Sequence, residues 1–146
     1  MGLIEELSGK RVYLDTNIFI YLIEGNATFQ PIIEALGTAL SDGDFSAFSS
    51  HITLTEILPP LVKRGEEDVI AGTIELMTQS GLVSLAPADT DVCIQAGFLR
   101  GELGMKTPDA LHVATAVYQG CDIFLTNDAG IRVPSSMKRL LLSDFL

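Results

Sequence analysis

The sequence predicts an α/β fold, a sandwich of helices around a mainly parallel sheet, and three observations carry that expectation. Short, β-rich apolar runs alternate with amphipathic helical stretches along the whole chain. Apolar residues make up 47% of the 146 residues and mean hydropathy is +0.36, as a sheet buried on both faces requires. Polar or acidic residues close several of the apolar runs, where open parallel sheets collect their ligands. No repeat, low-complexity tract or Pro/Gly/Ser linker divides the chain, so residues 1–146 are expected to form one domain.

The segment RVYLD (residues 11–15) is short and apolar and reads as the first strand. Thr16 or Asn17 can cap the helix that follows, IFIYLIEG, which Gly25 ends. Residues 30–41 read as a helix and DFSAFSS (residues 44–50) as the second strand. A helix from about Thr53 carries TLTEILPPLVKRG. Pro59 and Pro60 cannot donate to the carbonyls of Thr55 and Glu56, so a kink or a restart is expected there. EEDVIAGTIELMTQSG is an amphipathic helix closed by Gly81, LVSLAP the third strand and TDVCIQAGFLRGELG another helix. TPDALHVATAVYQG has the best helix start in the chain, with Thr107 at the N-cap, Pro108 at N1 and Asp109 in the first turn. CDIFLTND is the fourth strand, and RLLLSDFL supplies the fifth.

Charge excludes one class of behaviour. Nine Lys and Arg against nineteen Asp and Glu give −10, with a pI of about 4.4. Coating nucleic acid by charge alone needs basic side chains that displace counterions, so a phosphate substrate must meet a local basic rim or bound cations. Arg100, Lys106, Lys63 and Arg64 are the candidates for such a rim. No apolar stretch approaches the roughly 20 residues of a membrane span. MGLIEELSGKRV lacks a basic region followed by an apolar one, so no signal peptide is expected. Cys93 and Cys121 lack zinc-like spacing and read as reduced thiols of a cytoplasmic protein.

Four carboxylates from four separate stretches are placed to converge. Asp15 ends the first strand, Asp128 follows the fourth, and Glu56 lies just after the second, in the next helix. Asp109 opens the helix that leads into the strand supplying Asp128. Converging carboxylates repel, and a divalent cation removes the conflict. Oxygen donors without a nearby Cys or His set suit Mg²⁺ or Mn²⁺. One or two such ions can activate a water and stabilise a phosphodiester under in-line attack.

Each acid also has an ordinary structural explanation. Asp15 can simply cap a helix, Asp109 complements a helix dipole, and Asn-Asp at 127–128 is common turn chemistry. Glu56 can be a solvated helix residue, yet it stands among Ile52, Leu54, Ile57 and Leu58, where a charge is costly unless paired or metal-bound. The case rests on the four together. Asn17 and Thr126 are read as groups that orient the acids. His112 shares a helical face with Asp109 and is read as a packed histidine within reach of that acid or the substrate, and His51 as structural.

VYLDTNIFIYL, SSHITLTEIL, KTPDALHVATAV and FLTND resemble the PIN-domain family, especially the VapC-like toxins of bacterial and archaeal toxin–antitoxin pairs. The pieces occur in the family's order over nearly the whole chain. The resemblance implies a three-layer α/β/α sandwich with a five-stranded parallel sheet in the order 3-2-1-4-5. It implies Mg²⁺- or Mn²⁺-dependent cleavage of RNA, with Asp15, Glu56, Asp109 and Asp128 at the acidic motif positions. A homodimer held inactive by a small antitoxin is implied as well.

Three rival readings turn on particular residues. A haloacid-dehalogenase-like phosphatase wants an acid two residues after Asp15, where Asn17 stands. A receiver-like phosphoacceptor wants adjacent acids near the first strand and a late Lys, yet Glu5 and Glu6 precede that strand and Asp128 occupies the late position. A PIN-like scaffold that binds RNA or protein without cutting shares the same acids, and only assay separates it from a nuclease.

Overall fold

The computed structural model describes residues 2–146, and its central strand is the one the sequence marks most strongly. β1 (Arg11–Leu14) pairs with β2 (Ser46–Ser50) on one side and β4 (Ile123–Thr126) on the other. β3 (Val83–Ala86) and β5 (Lys138–Leu141) complete the edges, every pairing is parallel, and the order is β3-β2-β1-β4-β5. The expected sheet is therefore observed, strand for strand.

Parallel strands need crossover connections, and helices supply them. α1 (Leu3–Leu7) precedes β1. α2 (Thr16–Glu24) and α3 (Gln30–Asp42) join β1 to β2, and α4 (His51–Arg64) and α5 (Glu67–Thr78) join β2 to β3. α6 (Thr90–Leu103) and α7 (Thr107–Tyr118) join β3 to β4, and a 3₁₀ turn (Leu142–Phe145) follows β5.

Successive strand side chains point to opposite faces, so the sheet builds two cores. Val12, Leu14, Ala47, Ile123, Leu125 and Leu140 pack under Leu7, Phe19, Leu36, Ile57 and Met77 of helices α1–α5. Tyr13, Phe48 and Phe124 pack on the other face under Val92, Leu99, Ala110, Val113 and Ala114 of α6 and α7. Tyr13 stacks on Phe124 with ring centroids 5.0 Å apart. The result is a three-layer α/β/α sandwich. Its strands all point their carboxyl ends to the same edge, where the loops carrying Asp15 and Asp128 emerge.

Several local expectations are corrected. Asp15, rather than Thr16 or Asn17, occupies the N-cap of α2, its carboxylate accepting from the Thr16 N–H at 2.8 Å. α4 begins at His51 behind a Ser50 cap and does not restart at the prolines. It runs unbroken to Arg64, with buried Ile57 and Leu61 anchoring it on either side of Pro59 and Pro60. Thr107 is the first residue of α7 and Lys106 holds the cap position without a side-chain hydrogen bond. α5 ends at Thr78, three residues before Gly81. α1 was not expected, since five residues are too few for a helical period to show. Among the described residues no helix is long and apolar enough to cross a membrane.

Candidate active site

Asp15 stands where β1 ends, and its position follows from the strand. The apolar run Val12–Leu14 is buried in the middle of the sheet, so the next residue emerges at the carboxyl edge. Its carboxylate is buried, with 7% of the residue exposed. One oxygen, Oδ1, caps α2. The other, Oδ2, accepts from the Thr126 hydroxyl at 2.7 Å.

Thr126 ends the neighbouring strand and is fully buried. Its Oγ1 also accepts from the Asp128 N–H at 3.0 Å and from the Asn17 amide at 3.3 Å. Asn17 in turn accepts from the Asn127 N–H at 3.1 Å. Asn17 and Thr126 therefore tie the β1 and β4 ends into one polar knot. Position 17 is thereby occupied by a neutral structural amide, so the second acid that phosphatase chemistry wants has no place there.

Asp128 Oδ1 accepts from the Gly130 N–H at 2.8 Å, the two-residue Asx turn that this sequence favours. A Cβ on Gly130 would stand 3.2 Å from that same oxygen, so a side chain there would crowd the acid. Asp109 lies in the first turn of α7 and faces Asp128 across a cleft of about 260 Å³. Leu103, Gly104, Met105, Lys106, Gly130 and Arg132 form the rest of its wall. Burial first, then the charges of Asp128 and Asp15, hold the Asp109 carboxyl above its ordinary range. Three acids from three distant motifs thus share one electrostatic neighbourhood.

Glu56 approaches from α4 and is held differently. Its Oε1 accepts from the Thr16 hydroxyl at 2.8 Å and meets His112 Nε2 at 2.5 Å. His112 is buried, and its Nδ1 lies 2.6 Å from the Tyr13 phenol. Burial pushes the Glu56 carboxyl up, but His112, by its hydrogen bond and electrostatically, and then the Thr16 hydroxyl outweigh it, and its pKa is lowered. His112 is packed, as expected, but its partner acid is Glu56 and not Asp109.

The donor set suits a hard divalent cation in kind: the Asp109 and Asp128 carboxylates line a polar cleft, and the His112 imidazole is already engaged by Tyr13 and Glu56. Among the described residues no three His, Cys, Asp or Glu side chains already close around one point. Mg²⁺ does not require such a cage, since it keeps several waters and takes one or two carboxylates plus substrate phosphates.

The basic residues separate. Lys106 lines the acid cleft. Arg100 spends its Nε on the Met105 carbonyl at 3.2 Å, bracing the α6–α7 turn. Arg64 pairs with Glu24 and Glu66, and Lys63 lies along an apolar groove of α4 with Leu54, Leu58 and Val62. His51 is exposed at the start of α4. Arg132, which sequence reasoning missed, joins Lys106 in the cleft wall. Its signal was its place four residues after Asp128, in the same loop.

The PIN domain family model matches residues 12–135 of the chain. A search of curated protein sequences gives no significant match. Solved structures of similar fold include the DNA-bound VapBC of Salmonella typhimurium, 22% identical with a TM-score of 0.69, the alignment covering 91% of this chain and 98% of that one. VapBC2 of Rickettsia felis, bound to a promoter DNA fragment, is 16% identical with a TM-score of 0.67 over 90% of this chain and 98% of that one. VapC20 of Mycobacterium tuberculosis, a toxin that cleaves the sarcin–ricin loop, is 17% identical with a TM-score of 0.63 over 77% and 86%. The sheet order, the acids at its carboxyl edge and the family match agree: the chain belongs to the PIN-domain family.

Proposed function

We propose that this chain is a Mg²⁺- or Mn²⁺-dependent endoribonuclease, acting as the toxin of a VapBC-type pair, with residues 1–146 working as one nuclease unit. The observation that carries this proposal is the grouping of Asp15, Asp109 and Asp128, each from a different motif, beside a cleft whose wall also holds Lys106 and Arg132. Asp15, Asp109 and Asp128, with Glu56, would hold the cation. When bound, the ion supplies an activated water and charge stabilisation for hydrolysis of a phosphodiester.

The protein's own groups do the rest. Lys106 and Arg132 receive the RNA phosphates and offset the −10 net charge locally, which a chain this acidic needs. Thr126 and Asn17 fix the direction of Asp15 and the loop of Asp128. The VapBC complexes of similar fold support a small antitoxin as partner. The exposed apolar residues Val62 on α4 and Ile94 and Phe98 on α6 offer surfaces for that partner and for a second copy in a homodimer. Two thiols without zinc-like spacing fit a cytoplasmic location.

A PIN-like scaffold that binds RNA without cutting is the second reading, favoured by the lack of a ready-made three-ligand cage among the described residues. One assay separates them. Purified protein incubated with RNA and Mn²⁺ should release fragments, EDTA should stop it, and Asp15→Asn should lower the rate more than about 100-fold with an unchanged circular dichroism spectrum. Asn keeps the cap of α2 and nearly constant volume but gives up the acceptor of the Thr126 hydroxyl, so the fold is kept at some cost in stability. RNA left intact by the wild type under these conditions, but retained in a binding assay, selects the scaffold.

A further inference from the structure

Beneath the acids, two buried polar groups that the proposed chemistry does not itself use lead to Glu56. Tyr13 and His112 are 0% and 2% exposed, deep in the second core, yet both carry polar atoms that need partners. They find one another at 2.6 Å, and the imidazole continues to Glu56 Oε1 at 2.5 Å, where Thr16 also donates at 2.8 Å. Thr16 Oγ1 lies 3.4 Å from His112 Nε2, so the four groups form one compact set.

The members come from the motifs that supply the acids. RVYLDT gives Tyr13 and Thr16 around Asp15, TLTE gives Glu56, and TPDALH gives Asp109 and His112. A core needs neither a tyrosine hydroxyl nor a histidine at these places. An apolar pair of the same volume would avoid the desolvation of both.

The order of these groups fixes their protons. The Tyr13 phenol carries one O–H, and His112 Nδ1, 2.6 Å away, is the acceptor within its reach. A phenol donating to Nδ1 leaves the neutral imidazole proton on Nε2, and Nε2–H then donates to the Glu56 carboxylate. Both hydrogen bonds on Glu56 fall on Oε1. The other oxygen, Oε2, makes none to the described residues.

We propose that Tyr13 and His112 are positioning residues for Glu56: the phenol selects the Nε2–H tautomer of His112, and that imidazole turns Oε1 inward so that Oε2 is presented as a fixed ligand atom. The inference rests on the reading of the four acids as a cation site. Groups that orient a ligand in this way are often worth 10–100-fold in metal affinity.

The test uses the intact chain and two separate measurements. Nitrogen-15 spectra of the histidine rings, which need no metal, should show His112 as a single Nε2–H tautomer in the wild type and a mixture in Tyr13→Phe. Mg²⁺ titration by calorimetry should show roughly 10-fold weaker binding for Tyr13→Phe. His112→Gln, whose amide can still donate to Glu56, should keep more affinity than His112→Leu, which cannot. A tautomer unmoved by Tyr13→Phe overturns the proposal, and so do equal losses in the Gln and Leu variants or an unchanged Mg²⁺ affinity in Tyr13→Phe. Should the wild type bind no Mg²⁺ at all, the cation reading of the acids fails, and the presented-ligand role with it. The ring spectra then still decide whether Tyr13 sets the tautomer.

Discussion

Thr126 donates its hydroxyl to Asp15 Oδ2 at 2.7 Å, joining residues 111 positions apart at the carboxyl ends of two adjacent strands. Thr126 Oγ1 also accepts from the Asp128 N–H and the Asn17 amide, so a single buried atom organises the ends of β1 and β4. Parallel pairing of Leu14 with Leu125 brings the two ends level, and that register is what makes the contact possible.

Thr126→Val should therefore cost more than its conservative shape suggests. Valine fills the same volume but leaves the buried Asp15 Oδ2 without its donor and takes an acceptor from the part-buried Asp128 N–H and Asn17 amide. Removing one partner of buried polar groups costs roughly 1–3 kcal/mol, more where a charge is involved. Urea unfolding followed by fluorescence or circular dichroism measures it. A loss below about 0.5 kcal/mol, within the range of an ordinary surface change, would show that water replaces the hydroxyl freely.

The crowding of acids predicts a gain on removing one of them. Asp109 is held above its ordinary range by burial and by Asp128 and Asp15, so its ionised form is disfavoured in the folded chain. The folded state binds its proton more tightly than the unfolded state does. Stability contributed by that proton is present at low pH and is lost as pH rises through the raised value. At pH 7 without metal, Asp109→Asn should be slightly more stable than the wild type, by a few tenths of a kcal/mol, because solvent screens a partly exposed carboxylate. The advantage should vanish near pH 3. Millimolar Mg²⁺ or Mn²⁺ should raise the melting temperature of the wild type by binding only the native state, and that of the variant less. A variant less stable than the wild type at pH 7 would mean that the helix-dipole contribution of Asp109 dominates.

These relationships divide into those visible along the chain and those that were not. The place of Asp15 was legible because an apolar β run must surface where it ends, and the helix start at Lys106–Asp109 because Thr-Pro-Asp is a local signal. Glu56 was half legible: its apolar neighbours announced a charge needing a partner, but the partner lay 56 residues on. The link from Tyr13 to His112 spans 99 residues and depends on how α7 packs against the sheet, chiefly on β2. Helical spacing placed His112 on the face of Asp109 and could not say that α4 brings Glu56 closer. Pro59 and Pro60 misled for a related reason. Local chemistry argues for a break, and burial of Ile57 and Leu61 overrides it.

The two thiols should behave oppositely. Cys93 is exposed at the start of α6, and Cys121 is buried at the start of the loop into β4, where burial pushes its thiol up to about 12. The thiolate is the reactive form, so Cys121 stays inert at pH 8. Ellman's reagent should titrate one thiol per chain in the native protein and two after unfolding. Two fast-reacting thiols in the native protein would mean that the α7–β4 junction opens readily.

The basic cleft wall yields the prediction closest to substrate. Lys106 and Arg132 line the cleft with Asp109 and Asp128, whereas Arg100 lies outside its wall and gives its Nε to the Met105 carbonyl. Phosphate contacts contribute to affinity through counterion release, so each one lost lowers binding and flattens its salt dependence, by about 0.7 in the logarithmic slope for a single strand. Binding should be measured in the Asp15→Asn background, where RNA is not consumed. There, Lys106→Ala and Arg132→Ala should each weaken binding several-fold and reduce the slope, while Arg100→Ala acts mainly on thermal stability by loosening the α6–α7 turn. Charge removal also sharpens the acid crowding, so in a chain that keeps Asp15 both cleft substitutions should tighten Mn²⁺ binding slightly. Parallel loss of RNA and Mn²⁺ binding would instead mark a collapsed cleft, and an unchanged salt slope would place the RNA phosphates elsewhere on the protein.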